Sequence, residues 1–321
     1  MRLRNLLGVG LGALMLCSPA TAKAASRVVI GAGNAAGGYF LMGAAICEQV
    51  NRTSPGRKLR CAVEPSSGSV ANLEALRDGQ IELALAQSDW QHHAYAGTAA
   101  KFTGNNRLKD MRVLMSLTAS PLVLLARAGG GVARIEDLAG KRLDIGKPGS
   151  GRRAAADDLF GALGWDLGKF KLASELGESD AIAALCGGQL DAVALAGATP
   201  DRGVAAALKA CKLTLLPVSG PGVQKLIEAK PYYSAVRIPG GVYPGVSASI
   251  ATIGVRVILA ASVKLAEQDA YAIVKAVAEN LDAMRRLHPS LSGLDRKLIG
   301  TASIAAPLHD GAARYYREAG P

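Results

Sequence analysis

The sequence has little of what catalysis by a metal or an activated nucleophile demands. It carries only four histidines, His92, His93, His288 and His309, and has neither a His-Glu-x-x-His run nor a Cys-x-x-Cys pair. Adjacent His92 and His93 would leave one helix in different directions, so neighbours in sequence assemble no metal site. The run Gly146-Lys147-Pro148-Gly149-Ser150-Gly151 places Pro148 where a nucleophile elbow needs glycine, with no histidine near it in sequence. The expectation is no catalytic residue, no metal, no cofactor and no enzyme activity. Aromatics make up 4 % of the chain and its basic residues are scattered, which argues against a nucleic-acid partner. A membrane-spanning helix needs about 18 to 20 apolar residues. The best late candidate, Val246 to Ser262, is interrupted by Arg256. There is no internal repeat and no low-complexity linker.

What is present begins with a leader. Arg2 and Arg4 precede the apolar run Leu6 to Cys17, and Ala20-Thr21-Ala22 and Ala22-Lys23-Ala24 both fit the small-x-small cleavage rule. Residues 1–24 are expected to be a signal peptide, cleaved near Ala22 or Ala24, and the mature protein to be periplasmic. Leu16 before Cys17 is too bulky for lipid attachment, and Leu3 separates the arginines that twin-arginine export would need together. Removing the three basic residues of the leader from 37 leaves 34 against 26 acidic ones, a charge of +8 that favours acidic partners. Cys47, Cys61, Cys186 and Cys211 remain, an even number in an oxidising compartment. Of three possible pairings the local ones, Cys47 with Cys61 and Cys186 with Cys211, are the simplest. Four buried thiols are the alternative.

Strand-like runs (Arg27 to Gly31, Leu59 to Glu64, Leu83 to Ala86) alternate with helix-like ones (Gly38 to Asn51, Val70 to Arg77, Asp89 to Tyr95), the pattern of a mainly parallel sheet covered by helices. The alternation recurs after Lys141. A last strand near Thr252 to Leu259 and a long helix from Glu267 to His288 follow. Met111 to Arg127, broken by Ser120-Pro121, reads as a passage between two lobes, and Ile238 to Gly245 as the passage back. The expected domains are a discontinuous first lobe, 25–127 with 243–321, and a second lobe, 128–242.

Two glycine-rich loops each end a strand and open a helix: Gly31-Ala32-Gly33-Asn34-Ala35-Ala36-Gly37-Gly38 and Gly146 to Gly151. A helix start leaves N–H groups unpaired and partly positive, and glycine admits a bound group close to the backbone. Both are candidate anion sites. The first also matches the dinucleotide fingerprint, with Glu64 as ribose acid, but Glu64 lies far along the chain and an exported protein meets little NAD. Pro65-Ser66-Ser67-Gly68-Ser69 supplies helix caps or exposed donors. Gln87 and Ser88 stand at the carboxyl end of a strand, where open α/β sheets bind ligands. Ser150, Gly151 and a guanidinium, Arg152 or Arg153, could hold a carboxylate.

These motifs, taken in order, resemble a known family. Ile30-Gly31-x-Gly33 leading to Tyr39 and Gly43, Ser67-Gly68-Ser69-Val70-x-Asn72-Leu73, and Ala86-Gln87-Ser88-Asp89 with Tyr95-x-Gly97-Thr98 come first. Asp137-Leu138-x-Gly140-Lys141-Arg142, Gly146-x-Pro148-Gly149-Ser150-Gly151, and Pro231-Tyr232-Tyr233 with Ile238-Pro239-Gly240-Gly241-x-Tyr243 follow, and Ala306-Pro307-Leu308-His309-x-Gly311-Ala312-x-Arg314-Tyr315-Tyr316 closes the series. From about Val28 to Gly320 the chain is similar to the TAXI group of solute receptors serving tripartite ATP-independent periplasmic (TRAP) transporters. The resemblance implies a type II periplasmic-binding-protein fold, two α/β lobes with a ligand cleft between them and two crossover segments. It implies a monomer that captures a small anionic solute, an organic acid or acidic amino acid, and delivers it to a TRAP membrane permease. A sensory receptor for a membrane kinase and an exported enzyme on the same fold are the alternatives. The implied ligand-binding positions are Gly33, Asn34, Tyr39, Ser66, Ser67, Gly68, Gln87, Ser88, Ser150, Gly151, Arg152 and Thr199. The chain departs from the family pattern at Ala32, Ala35, Phe40-Leu41, Arg152 and Ala198-Thr199-Pro200. Hydroxyls are lost on one wall and a cation gained on the other, so the ligand's charge is expected at Arg152.

Overall fold

A computed structural model describes residues 26–33, 35, 38–53, 59–148, 150–197, 199–287, 291–300 and 302–320. The expected signal peptide, Asn34, Ala36, Gly37, Gly149, Ala198 and His288 lie outside the described residues.

The first lobe opens as the alternation predicts. Strand β1 (Ser26–Gly31) pairs in parallel with β2 (Leu59–Glu64) and β3 (Leu83–Gln87), and helices α1 (Gly38–Thr53), α2 (Ser69–Arg77) and α3 (Ser88–Ala96) connect and follow them. The chain then enters β4 (Met111–Arg127), one continuous strand through Ser120-Pro121. The second lobe contains β5 (Arg142–Asp144), α4 (Gly151–Ala162), β6 (Leu172–Ser174), α5 (Glu178–Cys186), β7 (Ala192–Ala196), α6 (Arg202–Ala210) and β8 (Leu213–Leu216). It continues with α7 (Pro221–Ala229) and β9 (Ser234–Ile238). The return runs along β10 (Ile250–Ser262), followed by α8 (Glu267–Ala278), α9 (Leu281–Leu287) and α10 (Asp310–Ala319). The long final helix expected from Glu267 is therefore two, with Glu279 and Asn280 between them. Asn280 turns its side chain back to donate to Ala276 O at 2.8 Å.

The lobes share two strands. β4 pairs with β10 from Met111 to Pro121 and then with β7 and β8 from Leu122 to Arg127. β10 pairs with β9 over Ile250–Gly254, and with β3 and β4 beyond. Ile253 and Val255 are buried in the second lobe's core with Leu122 and Leu124, whereas Val257 and Leu259 are buried in the first lobe's. Ile238 and Tyr243, in the segment read as the passage back, are buried in a second-lobe cluster with Val123 and Leu125, and the chain crosses later, along β10. At this crossing Gly254 faces Pro121, and a Cβ on Gly254 would lie 2.7 Å from Ser120 O, so only glycine lets the strands meet there.

Each lobe's sheet is covered on both faces by buried clusters, as parallel sheets require. Both local cysteine pairings are present: Cys47 in α1 to Cys61 in β2, with Cα atoms 4.9 Å apart, and Cys186 to Cys211, 5.6 Å apart. Among the described residues no helix is long and apolar enough to cross a membrane.

Candidate ligand cleft

The start of α1, the turn between β2 and α2 and the carboxyl end of β3 in one lobe, and the start of α4, which follows β5, in the other, open onto a cavity of about 590 Å³. Its first-lobe wall is built around the start of α2. Glu64 ends β2, Ser66 turns its hydroxyl to donate to Ala32 O at 3.1 Å and accepts from Gly68 N at 3.1 Å, and Gly68 takes a left-handed φ of 117°. Ser69 Oγ accepts from Gln87 N at 3.0 Å, which ties the helix start to the end of β3. The second-lobe wall is the start of α4. Ser150 caps this helix by accepting from Arg153 N at 3.3 Å. A Cβ on Gly151 would lie 2.8 Å from Gln87 Oε1, so the two walls touch at this glycine.

The structure therefore brings together Tyr39, Ser67, Gly68, Gln87, Ser150 and Gly151 of the sequence-predicted positions. Gly33 and Ser66 lie behind that wall, with Gly33 O accepting from Ser66 N at 3.1 Å. Ser88 is fully buried at the crossing, where its hydroxyl donates to Tyr232 O at 2.8 Å and accepts from Arg256 N at 3.0 Å. Thr199 does not line the cavity, and its hydroxyl is buried without a hydrogen-bond partner.

Arg152, where the ligand's charge was expected, points into the second lobe. It is 7 % exposed, pairs with Asp144 at 2.9 Å and donates to Ala194 O at 3.1 Å and to Leu176 O. Arg153 is engaged by Asp157 at 2.8 Å and Glu175 at 2.5 Å. His92 and His93, expected to point apart, both lay their rings against Tyr232, at 5.1 and 5.4 Å. Tyr232 comes from the second lobe, and both rings meet it at a tilt, with interplanar angles of 49° and 56°. Among the described residues no group of His, Cys, Asp and Glu could hold a metal ion.

Two titrating groups sit by the cavity. Burial, reinforced by the charge of Asp89, raises the phenol of Tyr39, whose hydroxyl is buried near Gln87 and Ser120. Asp89, at the start of α3, is 6 % exposed, and burial pushes its carboxyl from 3.8 up to about 6 despite a 2.7 Å bond from Trp90 N. The native carboxyl thus holds its proton more tightly than the unfolded one. The folded state bears no cost below about pH 4 and loses stability as the pH rises to about 6. Asp89→Asn should stabilise the protein at pH 7 to 8 by about 3 kcal/mol, and by nearly nothing at pH 4. Urea unfolding across that range measures this, and equal effects at both ends would contradict it.

Ser69, which the sequence offers as a cap or exposed donor, completes the cavity wall together with Val70, Ala71, Glu74, Trp90 and Lys101, which sequence reasoning missed. Most follow from extending known loops by a turn, but Lys101 has no such signal. It arrives from a 3-10 turn, Ala100–Phe102, anchored by the fully buried Phe102.

A family model matches residues 30–320, spanning both lobes and the cleft between them. The chain belongs to the NMT1-like family. This NMT1-like protein is similar in structure to a TctC solute binding protein from Polaromonas, with a TM-score of 0.55 and 20 % identity over 91 % of this chain and 95 % of that one. It is similar also to PhnD1 from Prochlorococcus marinus in complex with methylphosphonate, with a TM-score of 0.53 and 13 % identity over 92 % and 98 %. The periplasmic aliphatic sulphonate binding protein SsuA from Escherichia coli gives 0.50 and 14 % over 86 % and 81 %. At such identities these likenesses show the fold, the two-lobed α/β architecture of periplasmic solute-binding proteins.

Proposed function

We propose that this NMT1-like protein is a periplasmic receptor of the TAXI type, which captures a small anionic solute between its lobes and presents the closed form to a TRAP permease. The observation that carries this reading is one cavity into which two helices from different lobes begin. Neither α2 nor α4 has an acidic residue in its first turn, so their unpaired N–H groups and positive ends are open to an anion. The cavity's size suits a metabolite rather than a polymer. The neighbouring solute-binding folds and the leader in the sequence support the same reading. The two shared strands are the natural hinge, since closure needs only a few backbone angles to change there.

A thermal-shift screen of the mature protein against amino acids, dicarboxylates and keto acids tests it. A solute at 100 times its Kd should add about 2.7 kcal/mol of stability. If no acid raises the melting temperature, the receptor reading fails.

A further inference from the structure

Among the described residues that line the cavity, Lys101 is the one cation and Glu74 the one carboxylate, and they face each other, Lys101 Nζ 3.5 Å from Glu74 Oε1. Their side chains are 65 % and 32 % exposed. Such an open pair is weak and exchanges partners easily. Arg152 and Asp144 make the opposite kind of pair, at 7 % and 0 % exposure, fixed by bonds on every side. The cation of the second glycine loop is thus committed to the fold, and the one cation on the cavity wall is held by an exchangeable partner.

We propose that Glu74 is a built-in competitor for the solute's charge: it holds Lys101 at the cavity wall, and an anionic group of the solute displaces it. This deepens, and rests on, the receptor reading. The buried Phe102 fixes the backbone beside Lys101, so the exchange needs only side-chain movement. A solute with a single anionic group settled at the starts of α2 and α4 leaves the Lys101 pair intact. A solute with a second one reaches Lys101 and must outbid Glu74. The pair therefore favours dianions over monoanions, and Glu74 sets how strongly.

The test is calorimetric titration and thermal shift with succinate, citrate, L-glutamate and acetate on the wild type, Lys101→Met, Glu74→Gln and the double variant. Both side chains are solvated, so the melting temperatures without solute should stay close to wild type. Lys101→Met should weaken a dianionic acid about ten-fold. Glu74→Gln should tighten it several-fold, and the double variant should match Lys101→Met. If acids bind all four proteins alike, this proposal is overturned while the receptor reading stands. If no acid stabilises any of the four, the receptor reading falls and takes the proposal with it.

Discussion

Arg152→Ala is expected to cost about 3–5 kcal/mol of folding stability, the usual loss when one member of a buried ion pair is removed. Asp144 is 0 % exposed, and besides Arg152 it accepts from Gly146 N at 3.1 Å, Ser174 Oγ at 2.9 Å and Leu176 N at 2.7 Å. It joins the end of β5 to the chain leaving β6. Without the guanidinium, that carboxylate stays buried with donors but no cation, and the carbonyls of Leu176 and Ala194 lose theirs. Asp144→Asn combined with Arg152→Met removes both charges and should recover part of the loss. Guanidinium chloride unfolding of the three variants measures this. A loss below about 1 kcal/mol for Arg152→Ala would mean the pair does not hold the lobe.

The second large effect is expected on binding. Gly151 begins α4 without a left-handed φ, so a side chain fits the backbone and should stabilise the helix by a few tenths of a kcal/mol to about 1. The side chain would instead project at Gln87, across the cleft. Alanine meets the movable end of Gln87 and should weaken binding only a few-fold. Leucine should fill the cavity and hold the lobes apart, weakening the solute found by screening at least about 100-fold, or 2.7 kcal/mol. Titration calorimetry on the two variants, with melting curves as the folding control, gives the answer. A leucine variant that binds as the wild type does would move the site elsewhere.

The sequence made the first lobe legible because its strands and helices carry clean periods and its glycine turns fall between them. It also made the disulfides legible, since each cysteine's partner lies on the next strand or at the end of the next helix, Cys47 in α1 with Cys61 in β2 and Cys186 at the end of α5 with Cys211 just past α6. What it could not show was direction. Arg152 and Arg153 stand side by side at a helix start, and nothing in their order says that one turns inward to a buried aspartate. Gly146 fits an anion cradle by its left-handed φ of 88°, yet a Cβ there would lie 2.6 Å from Arg152 Nε. The space the glycine leaves is filled by the protein's own guanidinium. Lys101 was invisible for a different reason: its place depends on how a loop without periodicity is pinned by Phe102. Short elements such as β6, at three residues, and β9 exist through pairing with β5 and β10, a tertiary effect that local pattern does not record.

The shared strands also bear on how this molecule can be divided. β4 and β10 are each continuous through both sheets, so no linker exists at which a cut would leave two finished halves. A gene fragment for either lobe alone would expose the hydrogen-bonding edges that these strands normally cover, a template for aggregation. Lobe exchange between relatives would have to splice within a strand, opposite Gly254, where a single added methyl group collides with backbone. Proteins of this two-lobed fold should therefore diversify by changing loops at the cleft rather than by trading whole lobes.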